Sequence, residues 1–580
     1  MTLYRLVGDF ALRHWRAYLS SAAMLVGISL LTVWVPREVG RLVDGLVGGS
    51  LGEPPLGPSL AILVAMGVAI YFLRVGWRLQ LFAAAFRLGV ELRTRLYARL
   101  AQQGPGFFAG SRTGDLMARA TNDVDAIEMA AGEAFLAGFD GTLTLVLVIA
   151  MMSLGVDWRL AIAALLPFPL MAFAFWLISR HVHDAWRASL DRFSSLNEHV
   201  QESVAGVRTL RALGLERQAS VELARRAASA GNAVYEALRW EAAYEPAVGF
   251  TLATALALTL GVGGSLIWQD QLSIGQLTSF TMYLGQLIWP MFAAGWVLSL
   301  LERGKAAWTR LQATLEAPLS IDDRGPLELV SPGTLRFEGV TARRSTQVGA
   351  ALQDITFALD GGQTLGVVGP TGAGKSTLIA LLLRHLEPET GRIVWGGQSI
   401  DRFRLCALRA AISWVPQEAF LFSGTLVDNI AIARPDATRA EIEHAAELAS
   451  LCDDIERFPD GYETVVGEKG MTLSGGQRQR VAIARALLTD TPMLVIDDAL
   501  SAVDTSTEAL ILAHLRGERR GRTAIIASHR LSAVADADLI LVLKNGCIVE
   551  RGTHADLLRL AGWYAAQWRY QQVEASLEAS

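Results

Sequence analysis

Charge-free stretches of about twenty residues dominate the first half of the chain. Five carry no charged residue: Ala17–Pro36, Pro54–Leu73, Leu160–Ser179, Pro246–Gln269 and Gln271–Leu301. A sixth, Ala134–Val156, is interrupted only by Asp140. A hydrocarbon core of ~30 Å is crossed by roughly 20 helical residues, so each run is long enough to span. Buried helices of a soluble protein are shorter and keep a polar face. The pattern therefore predicts six membrane-spanning helices. Composition agrees, with 52% hydrophobic and 19% charged residues and a mean hydropathy of +0.32.

The polar segments between the runs set the orientation. Arg5, Arg13 and Arg16 precede the first run, and Arg87, Arg93, Arg95, Arg99, Arg112 and Arg119 fall between the second and third. Arg187, Arg192, Arg208, Arg211 and Arg217 fall between the fourth and fifth, whereas Asp157–Arg159 and the turn at Asp270 are very short. Arginine-rich segments stay in the cytoplasm, which places both termini and the two long loops there, in a cell (inner) membrane. Turn signals interrupt these loops at Gly104–Gly106 and near Gly206. No small-residue cleavage site closes the first run, so it is expected to be a retained span rather than a signal peptide.

Beyond a Pro-, Gly- and acid-rich linker, Ala317–Gly333, the period changes. Short apolar strands such as Thr364–Val368, Met493–Ile496 and Ala524–Ala527 alternate with helices, the pattern of a largely parallel sheet. The expected fold class is therefore multidomain: an all-α six-helix transmembrane domain (1–316), a linker (317–333) and an α/β nucleotide-binding domain (334–580). The three cysteines, Cys406, Cys452 and Cys547, have no metal-like spacing and read as reduced cytosolic thiols. A net charge of −5 gives no electrostatic reason to expect a nucleic-acid partner.

After the strand Thr364–Val368 comes Gly369-Pro370-Thr371-Gly372-Ala373-Gly374-Lys375-Ser376-Thr377, which fits G-x-x-x-x-G-K-[ST]. The glycines let backbone N–H groups surround phosphates, and the following helix offers its positive end. Lys375 is placed for the β- and γ-phosphates and Ser376 for Mg²⁺, so ATP with Mg²⁺ is the expected cofactor pair. Met493-Leu494-Val495-Ile496-Asp497 is an apolar strand ending in a carboxylate suited to Mg²⁺. Asp498, next in the chain, sits where a base would polarise an attacking water.

Together with Leu473-Ser474-Gly475-Gly476-Gln477-Arg478-Gln479-Arg480, these motifs resemble the ABC transporter family, of exporter type. The resemblance implies that Ser474, Gly475, Gly476 and Gln477 reach across a head-to-tail dimer to the partner's ATP. It implies that Gln417, in Val415-Pro416-Gln417, senses Mg²⁺ and relays to the membrane domain, and that His529, in Ala527-Ser528-His529-Arg530, contacts the γ-phosphate. Ser501-Ala502-Val503-Asp504 resembles the segment linking the two sites, and Thr464–Gly470 a stretch that touches the membrane domain. Phe107-Phe108, Thr113-Gly114-Asp115-Leu116 and Asn122-Asp123-Val124 resemble the first intracellular loop of such exporters, and Glu202–Leu215 the second. The resemblance runs to Arg551-Gly552-Thr553-His554, near the end of the chain.

Two positions depart from the family pattern. Most active members have Glu after the metal-binding Asp, and this chain has Asp498, shorter by one methylene. The adenine-stacking aromatic is also missing, and Arg344 falls near its place; a guanidinium plane can stack on a base. The intact Leu473–Gln477 beside a shortened carboxylate resembles the catalytically weaker subunit of heterodimeric bacterial multidrug-type exporters. That implies a second half-transporter, a different chain with Glu at the catalytic position. A regulatory subunit without appreciable hydrolysis and a homodimeric lipid-translocating ATPase are the rival readings. The transported substrate, a small molecule, lipid or peptide, is not legible. Trp34, Tyr71, Phe280, Tyr283, Trp289 and Trp296 either line a cavity or pack the bundle. Asp140 either meets a cationic substrate or has a structural partner.

Overall fold

The computed structural model describes residues 2–47, 56–323, 325–343, 351–467, 470, 472–500, 503, 505–518 and 521–578. They form two compact units, residues 1–99 with 116–316 and residues 100–115 with 317–580.

Among the described residues the apolar runs become six helices long and apolar enough to cross a membrane, built almost wholly within the first unit. They are Trp15–Val47, Gly57–Ala101, Thr113–Val156, Trp158–Ala205, Glu216–Trp268 and Ile274–Leu315. Each outruns its apolar core, because the adjoining polar segments are rich in good helix formers such as Ala, Leu, Arg and Glu, and the single glycines within them, such as Gly89 and Gly231, do not break the helix. Pro54 and Pro55, where the second run was expected to begin, lie outside the described residues. None of the apolar window of Gly57–Ala101 is buried, as suits a helix whose solvent is lipid. The short connections are capped from within. Asp157 accepts the backbone N–H groups of Arg159 and Leu160 at 2.8 and 3.3 Å, and Ser273 forms a reciprocal cap with Gln276. On that same side Asp44 accepts from Ser273 Oγ and from Gly275 N, both at 2.6 Å, tying the first span to the sixth. In the extension of the third span Asp123 takes Arg310 of the sixth in a two-point pair at 2.5 and 3.0 Å. The loop breaks at Gly104 and Gly206 precede two short helices, Pro105–Ala109 and Val207–Ala212.

Among the described residues the second unit holds twelve short strands. β1 (Leu335–Ala342), β2 (Leu352–Leu359), β4 (Thr390–Trp395) and β5 (Gln398–Ser399) form an antiparallel sheet in the order β2-β1-β4-β5. β3 (Thr364–Val368), β6 (Ile412–Val415), β9 (Met493–Asp497), β10 (Thr523–Ala527), β11 (Leu539–Lys544) and β12 (Cys547–Gly552) form the main sheet, ordered β12-β11-β3-β10-β9-β6. Among the described residues β11 and β12 pair antiparallel there, and the other four pairings are parallel. β7 (Gly424–Thr425) and β8 (Val465–Val466) make a separate small pair. Uninterrupted apolar runs suit strands covered on both faces, and β9 and β10 are buried at every position. One core lies between the main and antiparallel sheets around Phe337, Leu365, Leu378 and Trp395. The other packs helices on the opposite face around Ile430, Val481, Ile496 and Val542.

Register positions the site. β10 lies between β3 and β9, with Ala527 opposite both Val367 and Asp497. The three strands thus end level. The loop after Val368, the pair Asp497-Asp498 and His529 all emerge at the carboxyl edge of one parallel sheet, where open α/β sheets bind ligands.

Candidate functional site

The phosphate loop is built from backbone conformations that side chains resist. Gly374 has φ of +108°, and a Cβ there would come within 2.8 Å of the Ala351 carbonyl oxygen and 2.6 Å of Leu352 Cδ2. Gly369 has φ of +148°, and its Cβ would fall 2.1 Å from the Leu543 carbonyl oxygen. Glycine is therefore required at both on steric grounds. The helix Lys375–Leu382 starts directly behind, so its first N–H groups face the loop.

A cavity of about 520 Å³ opens over this loop, lined by Thr371, Gly372, Ala373, Gly374, Lys375, Ser376 and Thr377, and by Ala351, Gln417, Asp497, Asp498 and His529. Lys375 Nζ donates to the Gly369 and Pro370 carbonyls at 2.8 and 3.3 Å, which curls its stem back over the loop. Burial pulls the ammonium below the usual lysine range, and the Asp498 and Asp497 charges partly restore it. Ser376 Oγ donates to Asp497 Oδ1 at 3.0 Å. A hydroxyl and a carboxylate so placed are hard oxygen donors beside a ring of N–H groups and a cation. The residues present therefore fit a nucleotide's phosphates with Mg²⁺. Mg²⁺ bound there would neutralise charge on the β- and γ-phosphate oxygens.

Asp498 is placed by backbone as much as by sequence. Its φ is +49°, a left-handed conformation that Asp tolerates better than most residues. Its N–H donates to the Ala527 carbonyl at 2.8 Å, pinning the end of β9 to β10. Its Oδ1 meets His529 Nδ1 at 2.7 Å and the His529 N–H at 3.3 Å. The carboxylate is thereby drawn toward His529.

The other expected residues divide sharply. Ser474 caps the helix Gly475–Leu487, its Oγ accepting from Gln477 N at 3.2 Å while Gln477 Oε1 accepts from Ser474 N at 2.8 Å. Gln477 Nε2 donates to Asp454 at 2.8 Å, and Arg480 pairs with the same carboxylate at 2.6 Å. Ser474, Gly475, Gly476 and Gln477 do not line this chain's phosphate cavity. Gln417 does, and its carbonyl accepts from Gln479 Nε2 at 3.3 Å, joining the cavity wall to the helix that carries Ser474 at its cap. Gly369 and Pro370 contribute through the carbonyls that hold Lys375. Arg344 and most of Ser501–Asp504 lie outside the described residues.

Sequence reasoning missed Ala351, whose backbone roofs Gly374; an alanine in a loop carries no signal. It also missed His385 and Trp414. They line a second cavity of about 370 Å³, between the helix Pro105–Ala109 and the back of the phosphate loop at Ser376 and Asp497. Gly104 N donates to Ser320 Oγ at 3.1 Å, and Gln103 Nε2 to the Ala317 and Pro318 carbonyls at 3.3 Å. These bonds tie the connection between the second and third spans to residues 317–320. Burial, with help from Arg409, pushes the His385 imidazole down to about 4, so it is neutral at pH 7.

In the first unit a cavity of about 870 Å³ takes in Asp140, Tyr71, Trp289 and Trp296. Phe280 and Tyr283 are instead fully buried in the bundle, where the Tyr283 hydroxyl donates to the Val33 carbonyl at 2.9 Å. Trp34 is half exposed and donates to Glu38 at 2.9 Å.

Known proteins resemble this chain over nearly its whole length. Residues 21–291 match the ABC transporter transmembrane region family, and residues 352–501 match the ABC transporter family. The multidrug resistance-like ATP-binding protein MdlA of Escherichia coli (strain K12) is 42% identical over 580 residues, covering 100% of this chain and 98% of that protein. An ATP-dependent lipid A-core flippase of Chromobacterium violaceum is 31% identical, covering 97% of this chain and 96% of that protein. The solved structure of a bacterial Atm1-family ABC exporter with ATP bound superposes with a TM-score of 0.81 at 28% identity, covering 96% of this chain and 99% of that one. With six spans, a nucleotide cassette and these relatives together, the chain belongs to the ABC transporter family as a multi-pass membrane protein, an ATP-driven exporter with membrane region and cassette fused.

Proposed function

We propose that this chain is one half of a heterodimeric exporter for amphipathic small molecules, lipids or peptides, and that its own ATP site hydrolyses slowly. The observation that carries the reading is the Asp498 carboxylate, one methylene short and engaged by His529 at 2.7 Å. A carboxylate withdrawn by ~1 Å holds water poorly for in-line attack, and such displacements can lower rates by ~100-fold. Two such sites would make a poor motor. A partner with Glu restores one fast site, completed by Ser474–Gln477 of this chain, whose capped helix start offers a hydroxyl and N–H groups to an anion.

In this reading the membrane domain is 1–316, the linker 317–333 and the cassette 334–580, with cassette and termini cytoplasmic. Lys375 and the loop N–H groups bind the phosphates. Ser376, Asp497 and Gln417 hold Mg²⁺, and His529 contacts the γ-phosphate. Arg344 stacks on adenine. Closure of the two cassettes is transmitted through the cytoplasmic loops, whose tip at Gly104–Ala109 sits behind Ser376 and Asp497. The names of the relatives, multidrug resistance-like and lipid A-core flippase, support an amphipathic substrate.

The test is purification from native membranes with bound partners, followed by ATPase assays of the chain alone and of the complex. The complex should turn over at least tenfold faster. Ser474→Arg should suppress that rate strongly by placing bulk and positive charge beside the partner's phosphates. Vigorous drug-stimulated ATPase from a verified homodimer sinks the proposal.

A further inference from the structure

The large cavity of the membrane unit holds four ionisable side chains: Arg74 and Arg78 on the second span, and Glu133 and Asp140 on the third. Each is costly in a bilayer and marks a functional position by default. Among the described residues none of the four is closed off in an ion pair within 4.0 Å.

Their heights are ordered. Val47, Gly57, Val156 and Ile274 mark the same end of alternating helices. At 1.5 Å per residue, Arg78 lies about 6 Å beyond Arg74 along the second span, and Glu133 and Trp296 lie about 10 Å beyond Asp140 and Trp289 along the third and sixth, all in the direction away from that end. The cavity therefore has two tiers, each with one guanidinium, one carboxylate and one indole. The indoles of the two tiers touch, with ring centroids 6.4 Å apart. In the first tier the carboxylate is oriented. Ser29 Oγ donates to Asp140 Oδ1 at 3.5 Å, and the Trp289 indole and the Arg74 guanidinium line the same part of the cavity. A carboxylate has about four acceptor sites, so this one bond leaves room for a ligand donor.

We infer that this cavity selects amphiphiles whose polar end is zwitterionic, carrying both a protonated amine and an acidic group. The inference rests on the exporter reading and names its substrate class. A lone cation meets one guanidinium for every carboxylate and gains nothing net from the charges. A lone anion fares the same. A zwitterion satisfies both: its ammonium lies between carboxylate and indole, and its acid takes the two-point donor edge of arginine. The apolar tail lies against Tyr71 and Phe292. Tiers one to two helical turns apart offer the headgroup two successive stations along the axis.

The experiment uses the full chain with its partner in nanodiscs and four probes sharing one arylalkyl tail, ending in a glycine-type zwitterion, an amine, a carboxylate or a neutral amide. Equilibrium dialysis should show the zwitterion binding at least tenfold more tightly than the other three. Asp140→Asn should weaken the zwitterion and the amine about tenfold and spare the carboxylate, whereas Arg74→Gln should weaken the zwitterion and the carboxylate and spare the amine. ATP binding at the cassette verifies that each variant is folded, and the wild-type series alone decides if one is not. Four probes within threefold of each other, or variants that weaken all four equally, overturn the inference. Short-chain phosphatidylethanolamine that displaces the zwitterion assigns this chemistry to a lipid headgroup. Tight zwitterion binding without that displacement assigns it to a soluble amphiphile, and both support the inference. Uptake into inverted vesicles separates the two readings: ATP-driven uptake without headgroup preference defeats only this inference, and no uptake of any probe defeats the exporter reading beneath it.

Discussion

Lengthening the carboxylate at position 498 should accelerate the chain's own site. Asp498 sits at φ +49° with its N–H bound to the Ala527 carbonyl, so the backbone fixes where its Cβ points. The side chain then reaches only as far as His529 Nδ1, at 2.7 Å. Asp498→Glu adds one methylene, moving the carboxylate ~1 Å or more into the cavity that Lys375, Ser376 and Gln417 also line. A displacement of that size corresponds to up to ~100-fold in rate, or about 2.7 kcal/mol of barrier. The gain has a cost. Glu lacks the local hydrogen bonding that lets Asp occupy the left-handed region, so the variant should lose about 1–2 kcal/mol of stability. The assay is Mg²⁺-dependent phosphate release by the purified chain in nanodiscs, with Lys375→Ala as the blank, alongside thermal unfolding. The expected result is a rise of tenfold or more with a lowered Tm, while Asp498→Asn changes turnover less than about threefold. If Asp498→Asn abolishes turnover, Asp498 is a competent base as it stands and the slow-site argument fails.

Lys375→Ala should abolish high-affinity Mg-ATP binding at this site, because the loop loses both its cation and the tether to the Gly369 and Pro370 carbonyls; labelled-nucleotide binding checks it, and wild-type affinity would refute the phosphate-loop assignment. Arg384 is buried and donates to the Asp322 and Phe403 carbonyls and to Glu387, so Arg384→Ala should destabilise the protein by about 2–4 kcal/mol through stranded acceptors, read by thermal unfolding. His385 is held neutral, down to about 4, so the folded state binds fewer protons than the unfolded chain between there and the ordinary ~6.5. Its share of stability is therefore complete above about pH 6.5 and is lost as pH falls toward 4, on the order of 1–2 kcal/mol after allowing for partial exposure. His385→Gln should flatten that part of the pH–Tm curve, and an unchanged slope would refute the assignment.

How much of this was legible in the sequence depends on the range of the forces involved. The spans were legible because hydrophobic transfer into lipid acts on each twenty-residue stretch independently of its neighbours. The phosphate loop was legible because Gly369 and Gly374 answer a steric demand made within a few residues. The meeting of Ser376 with Asp497, and of Asp498 with His529, depends on β3, β9 and β10 ending level. That register comes from long-range pairing, which only family resemblance supplied in advance. Residues with neither local signal nor motif were invisible: Ala351 serves through its carbonyl, and His385 and Trp414 matter only because residues 105–109 fold back behind Ser376. The same limit explains the tiers of the membrane cavity. The uncharged runs drew attention to the one carboxylate that interrupts them, Asp140, and away from Arg74, Arg78 and Glu133 just beyond the run ends. A run-based reading treats such charges as boundary markers. Once helices are continuous past those boundaries, each charge acquires a height and a facing partner, and a charge that ended a pattern becomes part of a binding surface.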